Sequence, residues 1–356
     1  MSYTTEETLE KVLSKERIDL EEGVELLHSS DLTRLGTAAD SRTAILHPEP
    51  YRTYAIDRNV NYTNICVARC DFCAFSTDEN GEDANVITEQ ELFEKIQETL
   101  EQGGTQILMQ GGMHPRLRLN FYQDMLRSIK ERFSSIHIHA FSPPEILHLS
   151  QLEKLPINTV ISKLRSAGLD SIPGGGAEIL VDRCRDEISP KKCTSDEWLT
   201  VMREAHKLGM RTTATMMFGH IETLEERIVH MDKIRRLQDE TGGFTAFIPW
   251  TFQPRNTRLD HLSPVGAFEY LKTLAVSRLY LDNIPNVQAS WVTQGPKIGQ
   301  LALKFGANDM GSTMIEENVV RAAGVSFRMC GEEIERLIKD IGYQARQRDF
   351  YYRLVN

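Results

Sequence analysis

An α/β fold whose parallel sheet closes, or nearly closes, into a (β/α)8 barrel is what this sequence predicts. Three observations carry that prediction. Short apolar runs alternate with amphipathic helical stretches along most of the 356 residues, which implies parallel strands joined by right-handed crossovers. About eight such units fit, the number at which a sheet of this kind closes. The chemically unusual residues stand directly after the strand runs, and the carboxyl ends of the strands are where a barrel assembles its active site.

The elements justify themselves in chain order. Residues 1–57, with Leu9, Val12 and Leu13 and then Val24, Leu26 and Leu27 at helical spacing, read as a helical extension ahead of the barrel. The first strand run, 60–65, leads into a loop carrying Cys66, Cys70 and Cys73. Leu92, Phe93, Ile96 and Leu100 share a helix face, Gly103-Gly104 ends that helix, and a strand over 106–110 leads to Gly111-Gly112-Met113-His114. Phe121, Leu126, Ile129 and Phe133 mark the next helix, before a strand over 137–141 and then Ser142. Trp198, Met202, Ala205 and Leu208 precede a strand over 210–218 that ends at Gly219-His220. Leu224, Ile228, Met231, Ile234 and Leu237 precede 244–250, after which come Thr251-Phe252-Gln253. A helix over 271–281 precedes the strand 287–291, and a helix over 298–305 precedes a last strand over 307–311, with Asn308-Asp309 placed at its end. The barrel therefore spans 58–325, and 326–356 form a helical segment packed on it.

The cysteines decide the chemistry. Asn64-Ile-Cys-Val-Ala-Arg-Cys-Asp-Phe-Cys-Ala-Phe75 is a Cys-x3-Cys-x2-Cys triplet. Three thiolates on one short loop hold three irons of a cubane cluster and leave the fourth iron open for chemistry. A structural zinc site is the competing reading, but zinc takes a closed tetrahedral set, and no fourth ligand stands at matching spacing. Cys184, Cys193 and Cys330 fit neither pattern and read as ordinary buried or surface residues. The triplet resembles the defining motif of radical S-adenosylmethionine (SAM) enzymes. That resemblance implies a 4Fe-4S cluster at Cys66, Cys70 and Cys73, SAM on its open iron, and Phe72 against the adenine.

Composition narrows the class further. Six cysteines in this length do not make a disulfide scaffold. The charged first 19 residues lack a signal-peptide core, and no stretch approaches the roughly 18 apolar residues of a membrane helix, so a cytoplasmic enzyme with no membrane span is expected. A formal charge of −10 argues against a nucleic-acid partner.

Longer motifs carry a closer resemblance. These are Asp57-Arg-Asn-Val-Asn-Tyr-Thr-Asn-Ile-Cys66, Gln110-Gly-Gly-Met-His-Pro115, Ile172-Pro-Gly-Gly-Gly-Ala-Glu-Ile-Leu180, Met217-Phe-Gly-His-Ile-Glu-Thr223, Phe247-Ile-Pro-Trp-Thr-Phe-Gln-Pro254 and Gly306-Ala-Asn-Asp-Met-Gly-Ser312. Together they resemble the cyclic dehypoxanthinyl futalosine synthase family of the futalosine route to menaquinone. The motifs are shared in part with aminofutalosine synthase and the deazaflavin-cofactor synthases. The resemblance implies a TIM-type radical SAM barrel in which a deoxyadenosyl radical takes hydrogen from the 4′ carbon of the substrate sugar. The sugar radical then adds to the benzoate ring, and loss of one electron and one proton restores aromaticity. A flavodoxin or ferredoxin is the implied electron donor.

Roles are assigned on that basis. Gly111 and Gly112 allow close backbone approach to a ligand and are expected to grip SAM. Glu178 and Arg183 are expected to neutralise its ammonium and carboxylate, with Ser142 on its ribose. Tyr62, Asn64, Gln253 and Asn308 are the candidates for binding substrate. His114, His220 and Asp309 are the candidate proton acceptors, and the sequence does not choose among them. The benzoate favours an arginine, from Arg183, Arg185, Arg255 or Arg321. Phe75, Phe141, Phe218, Trp250, Phe252 and Trp291 are expected to keep water from the barrel mouth.

Overall fold

A computed structural model describes residues 4–355. Ten strands are present among them: β1 (Tyr51–Ala55), β2 (Asp57–Asn61), β3 (Gln106–Gln110), β4 (His137–Ala140), β5 (Ser171–Ile172), β6 (Arg211–Phe218), β7 (Phe244–Thr251), β8 (Asn286–Val287), β9 (Asp309–Ser312) and β10 (Gln344–Gln347). Strands β2 to β8 form one parallel sheet in sequence order, as helix crossovers require. The remaining three make a second parallel sheet in the order β10-β1-β9. The segment around β9 spans the gap between the edges of the large sheet. On one side Ala289 N–H donates to Asp309 O (2.9 Å), and on the other Ile315 N–H donates to Asp57 O (3.1 Å) and Asn59 N–H to Glu316 O (3.2 Å). The curled sheet thus has eight parallel staves, β9 being the eighth.

Local sequence explains the helices between the staves. Thr88 with Glu91, Thr194 with Glu197 and Thr223 with Glu226 form capping boxes at the starts of Glu89–Glu101, Ser195–Lys207 and Leu224–Thr241. Each cap contributes about 0.5–2 kcal/mol by satisfying amides that a helix leaves open. The apolar stripes face the sheet, where Ile96, Leu126, Ile129, Val160, Ile161, Met202 and Ile228 are essentially fully buried.

Both ends of the chain differ from the expected helical segments. The helices Thr5–Leu13, Leu20–His28 and Leu32–Leu46 come first, but β1 follows them and pairs with β9 and β10. At the other end the helix Gly331–Asp340 is followed by β10 and a tail. That tail carries Arg348, Phe350 and Tyr352 into the amino-terminal end of the barrel, where Phe350 stacks on His137 with ring centres 4.6 Å apart. Periodicity misses both segments because β1 and β10 lack a simple apolar alternation, with Arg52 and Thr53 buried in β1 and Gln344 and Arg346 exposed in β10.

Candidate functional site

Barrel interiors are ordinarily filled by Val, Ile and Leu. Here most of the inward positions are polar, although Leu108 and Ile248 are among them. Asp57 and Asn59 on β2, Gln106 and Gln110 on β3, His139 on β4, Thr213 and Thr215 on β6, and Thr245 on β7 surround a cavity of about 290 Å3. Period-2 alternation along each strand turns these residues to one face. Side chains of this kind cannot close-pack as aliphatics do, so a space remains. Asn59 Oδ1 and Gln106 Oε1 are buried without a protein hydrogen-bond partner, a costly state unless a ligand or water donates to them. Trp250 and Trp291 line the cavity as expected of a dry mouth, whereas Phe141, Phe218 and Phe252 are buried core residues outside it.

The three cysteines lie on the loop after β2. Cys66 and Cys73 pack with Phe72 against Ala68, Cys70 and Met113 in one small apolar cluster. Met113 N–H points at Cys66 Sγ (3.4 Å). Burial pushes the Cys70 thiol up to about 12, with Lys192 opposing. A bound metal reverses that balance, since a coordinating thiol loses its proton. Among the described residues no three His, Cys, Asp or Glu side chains already converge as a metal-binding group, so the thiols share a loop and a pocket rather than a finished socket. Three soft thiols in an apolar pocket, with an N–H directed at one sulfur, suit an iron–sulfur cluster better than a hard cation.

Packing explains the glycines. A Cβ on Gly112 would stand 2.2 Å from Ile65 O and 2.9 Å from Cys66 Cβ, so this residue lets the end of β3 abut the cysteine loop. Gly176 has φ +74° and would drive a Cβ to 2.4 Å from Pro144. Left-handed backbone also occurs at Arg69 (φ 52°) in the cysteine loop, Phe141 (φ 60°) after β4 and Glu178 (φ 45°) after β5. Such strain in non-glycine residues clusters at ligand sites.

Glu178 lines the cavity and is ion-paired with Lys192. Burial raises its carboxyl, but Lys192 and then Arg185 outweigh that and hold it below its ordinary value. Lys192 also lies 4.9 Å above the Phe72 ring, so it joins the cysteine loop to Glu178. Sequence reasoning missed Lys192, which stands far from any motif.

Several residues expected at the site make other contacts. Arg183 is half exposed, and its guanidinium is held by Glu226 (Nη2–Oε2 2.6 Å), away from the cavity lining. Ser142 caps the helix Pro143–Glu153, with both its hydroxyl and its N–H on Glu145. Gly111 N–H donates to that same Glu145 (3.1 Å), as does Tyr62 O–H, so Tyr62 lies behind the sheet among Tyr122 and Phe141. Asn64 stitches the cysteine loop to Asp83 O and Asn85 N–H. Gln253 folds back onto Thr251. Asn308 precedes β9 rather than following it, and its side chain is engaged by Arg278, Val287 N–H and Asn286.

The three candidate bases fare similarly. Asp309 opens β9 and is held by Arg348, Thr53 and Gly311 N–H. His114 Nδ1 accepts from Arg116 and Leu117 N–H. His220 Nδ1 accepts from Ile221 N–H, and Nε2 lies 3.2 Å from Met217 O. None of the three lines the cavity. Of the candidate arginines, Arg185 pins the carbonyls of Gly176 and Ala177, and Arg255 and Arg321 are exposed. The cavity's cation is Arg348.

Known proteins resemble this chain along nearly its whole length. The radical SAM superfamily model matches residues 60–234, and one described as the CofH/MqnC C-terminal region matches residues 241–356. The chain is 46% identical over 347 residues to the cyclic dehypoxanthine futalosine synthase of Halalkalibacterium halodurans, covering 98% of this chain and 94% of that one. It is 39% identical over 355 residues to the aminodeoxyfutalosine synthase of Thermus thermophilus, covering 97% and 94%. The crystal structure of methylornithine synthase shares the fold, with a TM-score of 0.73 over 95% of this chain and 97% of that one at 19% identity.

Proposed function

The chain belongs to the radical SAM superfamily and, within it, to the family of the cyclic dehypoxanthine futalosine synthases, and from that membership we infer that its barrel encloses dehypoxanthine futalosine and closes it into a spiro ring. Its cofactors are a 4Fe-4S cluster and SAM, which together supply the radical that removes hydrogen from the sugar 4′ carbon. Cys66, Cys70 and Cys73 hold three irons of the cluster, and Phe72 and Gly112 shape the space beside it. Glu178, ionised because Lys192 and Arg185 flank it, receives the ammonium of SAM at the cavity's edge.

The polar barrel interior carries the reading. Asn59 Oδ1 and Gln106 Oε1, both lacking partners, accept hydrogen bonds from substrate hydroxyls. The threonines of β6 and β7 add further hydroxyl contacts. Trp250 and Trp291 exclude water and hold the sugar at the roughly 3–3.5 Å of a near-attack geometry. At about 290 Å3 the cavity lies just below the 300–1,000 Å3 or so typical of small-molecule sites. No helix of the described residues is long and apolar enough to cross a membrane. A cytoplasmic location and a flavodoxin or ferredoxin donor complete the proposal.

An anaerobic assay of reconstituted protein with SAM, dithionite and dehypoxanthine futalosine tests it. The expected result is 5′-deoxyadenosine together with a product lighter than substrate by two hydrogens. Deoxyadenosine without that product would move the reading to a sister enzyme such as aminofutalosine synthase.

A further inference from the structure

Ring closure ends with the loss of a proton, and each base expected from the sequence is engaged outside the cavity. A different pair of histidines faces inward. β4 reads His137-Ile138-His139-Ala140, and alternation along a strand puts His137 and His139 on the same side. His139 lines the cavity. Its Nδ1 lies 2.7 Å from Ser171 Oγ on β5, and its Nε2 lies 3.5 Å from Thr213 Oγ1 on β6. The same Ser171 Oγ lies 2.7 Å from His137 Nε2. Ser171 is fully buried and His139 nearly so, while His137 is partly exposed at the barrel floor.

We propose that His139 accepts the proton lost in ring closure and that Ser171 and His137 carry a proton from it to solvent at the barrel floor. This rests on the cyclase reading above. As the C–H bond at the newly attacked ring carbon breaks, the proton forms an N–H bond at His139 Nε2 and, in the same step, one electron leaves the ring for a one-electron acceptor of the iron–sulfur class, so the ring becomes aromatic without passing through a radical anion. As Nε2 gains its proton, the Nδ1 proton moves to Ser171 Oγ and the serine's own proton moves to His137 Nε2. His137 then releases its Nδ1 proton to water, and the tautomers reset once product has left and water refills the cavity.

The surroundings suit this path. Burial, then His137 and Arg348, hold the His139 imidazole well below its ordinary value, so it begins neutral and able to accept. Around His137 the charged groups are Asp170, Lys130 and Asp349, with Phe350 and Tyr351 packed on the ring. A weak base suffices because the proton leaves together with the electron whose loss restores the aromatic ring.

The test compares His139→Gln and Ser171→Ala with wild type in anaerobic single turnovers on dehypoxanthine futalosine. His139→Gln is expected to form deoxyadenosine within about twofold of wild type, to release cyclised product about 10²-fold more slowly, the loss typical of a removed general base, and to accumulate an organic radical visible by electron paramagnetic resonance. Ser171→Ala shows the same split in weaker form. In cluster-free protein, imidazole 15N spectra are expected to show His139 neutral with its proton on Nδ1. Product formed at the wild-type rate, deoxyadenosine and product falling together, or the opposite tautomer would overturn the relay. If His139→Gln does not fold, Ser171→Ala and the tautomer decide. Wild type making deoxyadenosine but no cyclised product would sink the cyclase reading itself, an outcome distinct from failure of the variants alone.

Discussion

Replacing Arg348 by Met tests how the barrel floor is held. Arg348 is 4% exposed and Asp309 is 0% exposed, joined at Nε–Oδ2 2.7 Å and Nη2–Oδ1 2.9 Å. Without the guanidinium, Asp309 keeps only Thr53 O–H (2.5 Å) and Gly311 N–H (2.8 Å). Removing one partner of a buried pair costs about 3–5 kcal/mol, because the other charge stays desolvated. Unfolding entropy of about 2.1 cal/mol/K per residue over 356 residues gives roughly 0.75 kcal/mol/K, so Tm should fall by about 4–7 °C. Differential scanning calorimetry of cluster-free protein reads this directly. Adding Asp309→Asn removes the orphaned charge and should recover about 2 kcal/mol or more. A Tm loss under about 1 °C, or a double variant no better than the single, would refute the reasoning.

Other expectations follow from the same contacts. Ala at Cys66, Cys70 or Cys73 should abolish the cluster's visible absorbance and SAM cleavage while far-UV circular dichroism stays unchanged; full activity in any one variant would remove the cluster assignment. Gly112→Ala, whose Cβ meets Ile65 O at 2.2 Å, should lower iron content per chain, and normal iron loading would show the loop tolerates the shift. Glu178→Gln should weaken SAM binding about tenfold, the order of one charge-assisted contact, with cluster absorbance retained; titration calorimetry decides. Burial holds the His206 imidazole down to about 4, below its unfolded value. The unfolded chain therefore binds more protons between pH ~6.5 and ~4, and stability falls as pH drops through that window, by roughly 3 kcal/mol at most. His206→Gln should flatten that slope in urea titrations at a series of pH values.

The cysteine loop and the alternation of helix and strand were legible because each is a local pattern. Three thiols at fixed spacing share a loop in any fold, and capping boxes such as Thr194 with Glu197 act over three residues. A strand boundary decided where Asn308 and Asp309 lie. The run 307–311 reads as a strand with Asn308 and Asp309 at its end, but the ladder with β1 starts at Asp309, which moves both residues from the barrel mouth to the opposite end. His139 was readable in principle, since His-Ile-His on a barrel strand places two imidazoles on one face. The signal is weak because barrel sites gather at strand ends, and His139 stands within a strand.

By itself the sequence determined the cofactor chemistry and the fold class, which depend on spacing and period along the chain. Only the tertiary structure decided which polar side chains meet. Tyr62 and Asn64 have the right chemical types near strand ends, yet they meet Glu145 and Asp83, 83 and 19 residues away, which spacing alone does not reveal, whereas Ser142, Gln253, His114 and His220 turn to partners within three residues. The pairings of Lys192 with Glu178 and Arg348 with Asp309 cross 14 and 39 residues. A buried charge finds its partner through packing in three dimensions, where low dielectric makes the pair obligatory, and no local rule in the chain encodes that meeting.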